Sequence, residues 1–571
     1  MTVLSSNAIK IAQKRYFQTE HEDWQGLSVR CGSENVKIEN NPHLYKDKFI
    51  EMIFDMYFIP AGRILRNLGR TRGSLFNCYV LPMNDSIEDI GQFIKECLII
   101  WSEGGGLGSN ISYLRHENAP IKSKGGDSSG PVSFLKIADV AADTIKIGGQ
   151  RRAAGLALML ASHPDIFKFI DAKMLHKEFN NFNISVGVTE KFLNCVEKNC
   201  EWDLTFNHQT INTVQAKDIW DKIIVNMVDH AEPGLINWDN LRSNNSYYFA
   251  PIISTNPCGE APLEQYGICN LGSLVVSKFV TVGGNTNWKK MEEVIRLAVR
   301  FLDNIIDLNR YVLPQFDKNA HDGRRIGIGI MGLAEYFFAK KIRYGSEKSI
   351  QESERLMKFI RDISYDESIN IASEKGSFAK FDPIEYGKAH FVRSLPASTR
   401  MAIKKRGMRN VTTMAIAPTG TISLLPEVSS SIEPLIYKAT LRSDRVGERY
   451  YIHPLYKEIL TNNSETPDWF VDSSDLEPKD HLEIQSVVQK YTDGAVSKTI
   501  NMPKGTTPEQ LSALLLEYIR DLKGCTVYVD GSREGQILNK IEKEDLVKYL
   551  DESTTVASED SVKCHSGKCE I

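Results

Sequence analysis

Three reactive side chains alternate within one short stretch of the chain: the amide of Asn256, the thiol of Cys258 and the carboxyl of Glu260. Pro257 biases the residue before it toward extended backbone, and Gly259 permits a tight bend, so the pattern predicts a loop rather than a helix. In extended backbone, residues two apart point to the same side. We therefore expect the amide, the thiol and the carboxyl to share one small surface, as a catalytic set would.

The chemistry open to Cys258 follows from the charge beside it. A thiolate nucleophile needs a cationic neighbour or a helix N-terminus, whereas Glu260 places a carboxylate there and disfavours ionisation of the thiol. The thiol is therefore expected to stay protonated and to act through its hydrogen atom or as a ligand. The alternative is a buried cysteine in a turn without a chemical role, which is a common setting for this residue.

The ten cysteines in 571 residues are too sparse for a disulfide scaffold, so thiols that matter are expected to be redox-active or catalytic. Four have apolar or helix-like surroundings and are interpreted as structural: Cys97, Cys195, Cys200 and Cys525. Four others stand out beside Cys258: Cys78, Cys269, Cys564 and Cys569.

The composition is typical of a soluble protein. A net charge of −4 with 25% charged residues argues against a nucleic-acid-binding surface. The chain has no run of about 18 apolar residues, and its first residues are polar where a signal peptide needs an apolar segment. We therefore predict a cytoplasmic protein with no membrane partner.

Helical and strand patterns alternate over nearly the whole chain. Helices are predicted over 87–100, 133–147, 217–230, 288–308, 349–374 and 508–523. Strands are predicted over 75–81, 182–188, 326–330, 411–417 and 525–529. This alternation favours an α/β fold with substantially parallel strands, and it places Cys78 on a rigid element.

The chain is expected to divide into three parts. Residues 1–60 form a helical N-terminal segment, residues 61–550 the catalytic domain, and residues 551–571 a polar, acidic tail that is expected to be flexible. Length by itself suggests two to four domains, although one large barrel would also account for it.

A second candidate site follows the strand predicted over 411–417. The turn there is rich in hydroxyl groups and consists of Pro418, Thr419, Gly420, Thr421, Ile422 and Ser423. Backbone N–H groups and hydroxyls in such a turn are suited to hold an anion, as in a phosphate cradle, although the GxxxxGK[ST] pattern of a Walker loop is absent. Arg151 and Arg152 lie in a glycine-flanked loop that could also grip phosphate, but a solvated charged loop is the commoner case.

Together these segments resemble the large catalytic chain of ribonucleotide reductase, from about residue 55 to the C-terminus. The motifs follow the family order: FNCYVLPMNDSIEDI (76–90), GGGLGSNISYLR (104–115), GGQRRAAG (148–155), NPCGE (256–260), GICNLGSL (267–274), RRIGIGIMGL (324–333), APTGTISLLP (417–426), SKTINMP (497–503) and CHSGKC (564–569). The resemblance implies a ten-stranded α/β barrel, made of two five-stranded parallel halves, with a central finger loop. It also implies an enzyme that reduces ribonucleotides to 2′-deoxyribonucleotides by thiyl-radical chemistry and so supplies DNA precursors.

The resemblance implies a role for each reactive residue. Cys258, at the tip of the finger loop, would become a thiyl radical that abstracts the 3′ hydrogen of a ribonucleotide. Glu260 would act as general base on the 3′ hydroxyl, and Asn256 would hold the substrate by hydrogen bonds. Cys78 and Cys269 would supply two electrons as a thiol pair, which requires folding to bring their Cα atoms within about 7 Å.

The resemblance makes Cys564 and Cys569 the thiols that re-reduce this pair by thiol–disulfide exchange, with a thioredoxin-like or glutaredoxin-like protein as the external reductant. A flexible tail of about 13 residues has a root-mean-square reach of roughly 20 Å, enough to swing between the two partners. The alternative is a zinc clip that includes His565. Zinc sites usually need four ligands and no second Cys/His pair lies close by, so we predict no metal site.

The resemblance places nucleotides at two further sites. The turn over 418–423 would hold the substrate phosphates. A deoxynucleoside triphosphate effector would bind at an allosteric specificity site that includes Asp85, Ser86, Arg115, Arg151 and Arg152. The helices over 87–100 and 133–147 flank that site and would form the interface of a homodimer.

Ribonucleotide reductases divide by the source of the radical. Oxygen-dependent chains receive it from a partner subunit through a tyrosine pair near the C-terminal end. At that place this chain has GCTVYVDGSR (524–533), which resembles the adenosylcobalamin-dependent class, and no C-terminal glycyl-radical motif is visible. The alternatives are an oxygen-dependent subunit that needs a radical-generating partner and an inactive, nucleotide-binding regulatory paralogue.

Two expectations about regulation and substrate complete the prediction. The first family motif begins near residue 76, which leaves no room for an N-terminal ATP-binding regulatory domain, so we expect no overall inhibition by dATP through such a domain. Ribonucleoside diphosphates and triphosphates both stay open as substrates, because the turn over 418–423 would accept either.

Overall fold

The computed structural model describes residues 4–122, 125–145, 153–174, 179–444, 447–532, 538–541 and 546. Within them, the helices of the N-terminal half are α1 (Ser6–Arg15), α2 (Trp24–Asn35), α3 (Pro42–Phe54), α4 (Gly62–Asn67), α5 (Ile87–Ser102), α6 (Pro131–Thr144), α7 (Ile166–Ile170), α8 (Glu190–Lys198), α9 (Ala216–His230) and α10 (Trp238–Ser243). Those of the C-terminal half are α11 (Trp288–Leu308), α12 (Pro314–Gly323), α13 (Leu333–Ala339), α14 (Glu347–Lys375), α15 (Pro383–Lys388), α16 (His390–Arg393), α17 (Ala397–Arg406), α18 (Pro454–Thr461), α19 (Pro478–Lys490) and α20 (Pro508–Tyr518).

The strands are shorter and fall between the helices. They are β1 (Phe58–Pro60), β2 (Cys78–Val80), β3 (Gly106–Asn110), β4 (Ala154–Leu160), β5 (Phe182–Val188), β6 (Glu201–Phe206), β7 (Gln209–Gln215), β8 (Gly234–Asn237), β9 (Ile252–Thr255), β10 (Pro262–Glu264), β11 (Leu271–Val275), β12 (Gly327–Met331), β13 (Ala439–Asp444), β14 (Gly447–Ile452), β15 (Thr499–Met502), β16 (Gly524–Val529) and β17 (Leu538–Lys540).

The six helices expected from the sequence are confirmed, as α5, α6, α9, α11, α14 and α20. Their ends follow the capping signals. The Ser86 hydroxyl accepts a hydrogen bond from the backbone N–H of Asp89 at 3.0 Å and so begins α5. The last helix stops earlier than expected, because the chain tightens after Tyr518 into a short 3₁₀ turn over 519–521.

The largest sheet places β2 beside β3 and supports the site described below. Its seven strands run in the order β15-β16-β8-β5-β4-β3-β2, and every neighbouring pair is parallel except β16 with β8. A three-stranded sheet has the order β1-β11-β12, with β11 and β12 parallel. The fold is therefore mixed α/β with a large parallel sheet, and no sheet of the described residues is a closed ring of ten strands.

Single bridges link the two sheets where no ladder forms. Ile328 of β12 pairs with Met414 and Ile416 pairs with Val496, both in parallel, while Tyr79 of β2 pairs with Ile268 in antiparallel orientation. The bridges place the segment over 411–417 between β12 and the chain before β15, and they place the chain before β11 beside β2.

The strand predicted over 411–417 is wrong as a regular paired strand, although the segment is extended and buried. The backbone N–H groups of Thr413 and Met414 point to the carboxylate of Asp493, at 2.8 and 2.9 Å. A side chain therefore takes two donors that a neighbouring strand would otherwise receive. Pro418, which lacks an N–H, follows immediately.

The N-terminal helices share the central hydrophobic core of the described chain. Phe49 of α3 packs edge-on against Phe301 of α11, with ring centroids 5.4 Å apart. Leu27 and Ile53 are fully buried in the same cluster. Among the described residues, none of the helices combines the length and the apolar character that crossing a bilayer requires.

Candidate active site

The stretch from Asn256 to Glu260 is the tip of a β-hairpin formed by β9 and β10. These strands are antiparallel, with Thr255 opposite Pro262. The Asn256 side chain closes the tip, because its carbonyl oxygen accepts a hydrogen bond from the N–H of Ala261 at 3.0 Å. Gly259 has a φ of +84°, a conformation that favours glycine. The loop predicted from the sequence is confirmed, and two strands carry it.

The glycine-rich motif over 104–108 provides the seat for this hairpin. A Cβ atom on Gly108 would lie 1.8 Å from the carbonyl oxygen of Thr255, and one on Gly106 would lie 3.1 Å from the Pro257 ring. The same Gly106 position is 3.6 Å from the sulfur of Cys78. Only glycine lets the backbone of β3 approach the hairpin this closely, so the motif serves a close backbone approach rather than a simple turn.

The carboxyl of Glu260 is buried at the tip, and neither of its oxygens accepts a hydrogen bond. The residue has no exposed surface, and both carboxyl oxygens lack a hydrogen bond, as does the amide nitrogen of the equally buried Asn256. Burial raises the pKa of Glu260 from its ordinary 4.5 to about 7, and the Asn256 amide opposes part of that shift. Orphaned polar atoms of this kind mark a place where a ligand supplies the missing partners.

Cys258 differs from these two neighbours because its side chain is half-buried rather than enclosed. Empty space adjoins it, since a Cβ atom on Gly259 would meet nothing within 4 Å. The Asn183 amide donates a hydrogen bond to the Pro257 carbonyl oxygen at 3.3 Å and so fixes the turn. Cys258 is therefore half-buried on a fixed turn, next to a position with open space around it.

Folding brings Cys78 and Cys269 together although they lie far apart in the sequence. The backbone N–H of Cys269 donates to the carbonyl oxygen of Cys78 at 3.0 Å, beside the Tyr79–Ile268 bridge. Both residues are buried and both are free thiols. Burial raises the pKa of Cys269 well above its ordinary value, and the Cys78 thiol, which hydrogen-bonds to it, raises it further. The pair is a reduced, enclosed dithiol.

The base of the hairpin is anchored by an ion pair that sequence reasoning missed. Arg325 binds Glu264 of β10 at 2.6 Å, and its guanidinium lies 4.3 Å from the ring of Tyr247. The Tyr247 hydroxyl donates to the same carboxylate at 2.9 Å. Arg325 belongs to the RRIGIG motif, and two arginines directly before a buried strand were the available signal.

The predicted phosphate turn over 418–423 lies after the extended segment that Asp493 holds. Thr419 has a φ of +55°, and its hydroxyl accepts a hydrogen bond from the N–H of Ser431 at 2.7 Å. The Ser423 hydroxyl pairs with a neighbouring serine, while a Cβ atom on Gly420 would meet nothing within 4 Å. The turn is thus internally braced and open at its glycine. Within the turn, Thr421 and Ile422 are buried.

Residue 495 joins this turn to the hairpin tip. The N–H of Ala495 donates to the carbonyl oxygen of Glu260 at 2.7 Å, and its own carbonyl accepts the N–H of Ile416 at 3.1 Å. Ile416 lies two residues before Pro418. The two candidate sites predicted separately from the sequence therefore adjoin one another.

The residues predicted for effector binding fall into two groups. Asp85 and Arg115 form an ion pair at 2.9 Å on the partly exposed surface, and Ser86 is occupied as the cap of α5. Arg151 and Arg152 lie outside the described residues, as do Cys564 and Cys569 of the tail. The adjoining helices α5 and α6 pack together and expose apolar side chains, among them Ile87, Ile137 and Val140.

The protein is therefore a mixed α/β protein in which a hairpin with a cysteine at its tip adjoins a buried dithiol. This arrangement is typical of a thiol-based redox enzyme. Residues 76–528 match the family model described as ribonucleotide reductase, barrel domain. The chain belongs to the ribonucleotide reductase family.

Curated relatives extend over nearly the whole chain. It is 36% identical to the vitamin B12-dependent ribonucleoside-diphosphate reductase of Thermoplasma acidophilum, over 92% of this chain and 72% of that protein. It is 33% identical to the enzyme of the same name from Mycobacterium tuberculosis, over 100% of this chain and 84% of that protein. The ribonucleoside-diphosphate reductase subunit alpha of Chlamydia pneumoniae is 24% identical, over 89% of this chain and 56% of that protein.

Proposed function

We propose that this protein is an adenosylcobalamin-dependent ribonucleotide reductase, which converts ribonucleotides to 2′-deoxyribonucleotides by thiyl-radical chemistry. The single observation that carries the proposal is the adjacency of three parts: a half-buried thiol at Cys258, an unpartnered carboxyl at Glu260, and a buried dithiol seated against the same strand. The names of the relatives from Thermoplasma and Mycobacterium support the cofactor assignment.

The residues at the hairpin tip fit a radical-generating cofactor that must reach one thiol. Cys258 is half-buried and adjoins the open position of Gly259, whereas Cys78 and Cys269 are buried. When bound, adenosylcobalamin supplies the radical that removes the hydrogen atom of a thiol. Of the three thiols, Cys258 has the exposure needed to meet that group, and the hairpin keeps the other two out of reach.

Glu260 and Asn256 would act on the sugar once Cys258 is a thiyl radical. The radical removes the 3′ hydrogen, while Glu260 accepts the proton of the 3′ hydroxyl. A pKa of about 7 suits this role, because a general base works best when its pKa lies near the working pH. The free amide N–H groups of Asn256 would donate to a substrate oxygen.

The dithiol would supply the electrons and protons that the reduction needs. Loss of the 2′ hydroxyl as water needs two electrons and two protons, and oxidation of Cys78 and Cys269 to a disulfide supplies both. The products are then one deoxyribonucleotide, one water and one disulfide. We assign re-reduction of the disulfide to Cys564 and Cys569, with a thioredoxin-like or glutaredoxin-like protein as the external donor.

We further propose that the strands close into the family's ten-stranded barrel. Five parallel strands, β2, β3, β4, β5 and β8, would form one half. The other half would consist of β11, β12, the segment over 411–417, the chain over 496–502 and β16. The antiparallel contacts at Tyr79–Ile268 and between β8 and β16 support closure at both seams.

The substrate phosphates would bind the turn over 418–423, which is open at Gly420. We assign the deoxynucleoside triphosphate effector to the surface around Asp85 and Arg115, with α5 and α6 as the homodimer face. Their exposed apolar side chains support that assignment. The protein would act in the cytoplasm, with residues 61–550 as its catalytic domain.

The test is an incubation of the purified chain with CDP or CTP, adenosylcobalamin and dithiothreitol, followed by chromatography for deoxycytidine nucleotides. We expect product without any second protein chain, and no product from Cys258→Ser. Cys195→Ser is the matched control, because Cys195 is a partly exposed thiol on α8 outside the site. Product that appears only after a radical-generating subunit is added would instead identify an oxygen-dependent enzyme.

A further inference from the structure

A buried aspartate behind the hairpin tip is saturated with hydrogen bonds. Asp493 is only 1% exposed. One oxygen of its carboxylate accepts the backbone N–H groups of Met414 and Gly494, each at 2.9 Å. The other accepts the N–H of Thr413 and the hydroxyl of Tyr365, each at 2.8 Å. Four donors converge on one side chain. Burial raises the pKa of Asp493, and the hydrogen bonds from Thr413, Tyr365 and Met414 oppose that shift.

Three of the four donors belong to the two segments that build the proposed substrate site, and the fourth, Tyr365, lies on α14. Thr413 and Met414 begin the extended run that ends in the phosphate turn over 418–423. Gly494 precedes Ala495, which holds the carbonyl oxygen of Glu260 at 2.7 Å. Asp493 therefore ties the phosphate turn and the hairpin tip to one point.

The backbone around Gly494, where these segments meet, leaves no room for a side chain. A Cβ atom there would lie 2.5 Å from the carbonyl oxygen of Met414 and 3.2 Å from that of Glu260. The three backbones are packed as closely as main chains allow. A change in the Asp493 side chain must therefore move backbone rather than a flexible neighbour.

A buried lysine completes the junction. Lys523 is 1% exposed, and its ammonium donates to the backbone carbonyls of Asp493 and Gly494, each at 2.7 Å. Burial lowers the pKa of Lys523 to about 7, an effect that Asp493 opposes and the nearby Arg325 reinforces. Asp493 is thus hydrogen-bonded through its side-chain carboxylate and through its backbone carbonyl.

We propose that Asp493 is a positioning residue, which sets the separation between the phosphate turn and the general base at the hairpin tip. It does not touch the reacting atoms. Its contacts with Thr413 and Met414 hold the run before the phosphate turn in register with the segment over 493–495, so that a nucleotide bound by its phosphates presents its ribose to Glu260. This inference rests on the proposed function, because it gives the turn and the carboxyl their roles.

Asp493→Asn tests the proposal, since the amide keeps the shape but turns one acceptor oxygen into an NH₂ group that faces two donors. We expect kcat/KM to fall by about 100-fold, the loss typical of a misplacement of about 1 Å, through both a higher KM and a lower kcat. The affinity for CDP, measured by calorimetry without cofactor, should fall by about tenfold for the same reason.

Asp472→Asn is the matched control. Asp472 is also 1% exposed and accepts backbone N–H groups, from Lys438 at 2.9 Å and Ser474 at 3.0 Å, but it contacts neither the turn nor the hairpin. We expect it to lose thermal stability to a similar degree while kcat and KM stay within about twofold of the parent. Equal losses of activity in both variants would overturn the proposal.

Tyr365→Phe provides a second, milder variant if Asp493→Asn fails to fold. It removes one of the four donors and leaves the carboxylate in place, so kcat/KM should fall by about tenfold. Unchanged kinetics in this variant, with an unfolded Asp493→Asn, would reduce Asp493 to a structural role. A parent enzyme that makes no deoxynucleotide contradicts the proposed function instead, and in that case the calorimetric comparison still decides the inference.

Discussion

Replacing Glu260 by glutamine should abolish activity and at the same time stabilise the protein at alkaline pH. Glutamine has the shape of the protonated acid but no charge. In the folded protein the carboxyl is fully buried and has no hydrogen-bond partner on either oxygen, so its ionised form is disfavoured. The folded state therefore binds the proton more tightly than the unfolded state, and stability is lost as the pH rises.

The magnitude follows from the two pKa values. The carboxyl titrates near 4.5 when unfolded and near 7 when folded. Linkage then makes Glu260 cost about 1 kcal/mol at about pH 5 and about 3 kcal/mol at about pH 8, with the change complete above the folded pKa. Glu260→Gln carries no such cost. Its advantage over the parent should thus grow by about 2 kcal/mol across that range, a shift in Tm of about 2 °C for a chain of this length.

The assay combines thermal melting with steady-state kinetics over the same pH range. The parent should show a rate that rises through about pH 7, as the general base loses its proton. Glu367→Gln is the control, because burial also raises the pKa of Glu367, but its carboxylate accepts hydrogen bonds from Arg296 and Asn370, away from the hairpin and the phosphate turn. That variant should keep the activity of the parent.

Two results would refute the reasoning. A difference in Tm between Glu260→Gln and the parent that is the same at every pH would show that the carboxyl does not titrate in this window. Retention of more than about a tenth of the parent rate would show that Glu260 is not the base, since general-base catalysis contributes at least about 100-fold.

Three further outcomes are expected. Glu264→Gln should destabilise the fold by about 3 kcal/mol in chemical denaturation, because it leaves a buried guanidinium without its anion. After one turnover without reductant, mass spectrometry of peptides should find a disulfide between Cys78 and Cys269, which are within bonding reach through adjacent backbone; a pair that stays reduced contradicts its role. Gly108→Ala should yield inactive or insoluble protein, since its methyl would meet a carbonyl oxygen at 1.8 Å, whereas Gly91→Ala, which meets nothing within 4 Å, should express normally.

Local patterns were sufficient for most of the elements that the sequence predicted. The apolar periodicity of α9 and α11 and the N-cap at Ser86 act over a few residues, so they are readable without knowledge of the fold. The segment over 411–417 was misread as a regular strand for the opposite reason. Two of its backbone donors, those of Thr413 and Met414, go to the side chain of Asp493, which lies about 80 residues away and carries no local signal.

The order of residues is enough to identify the groups that could react: a thiol, a carboxyl and an amide alternate around a proline and a glycine, and the bend they require is local. The surroundings of these groups depend on how the whole chain folds. The partner of Cys78, the seat of the hairpin on Gly108 and the burial that raises the pKa of Glu260 all depend on contacts between distant segments. Desolvation and close approach arise only when the chain packs, and they have no counterpart in the spacing of residues along it.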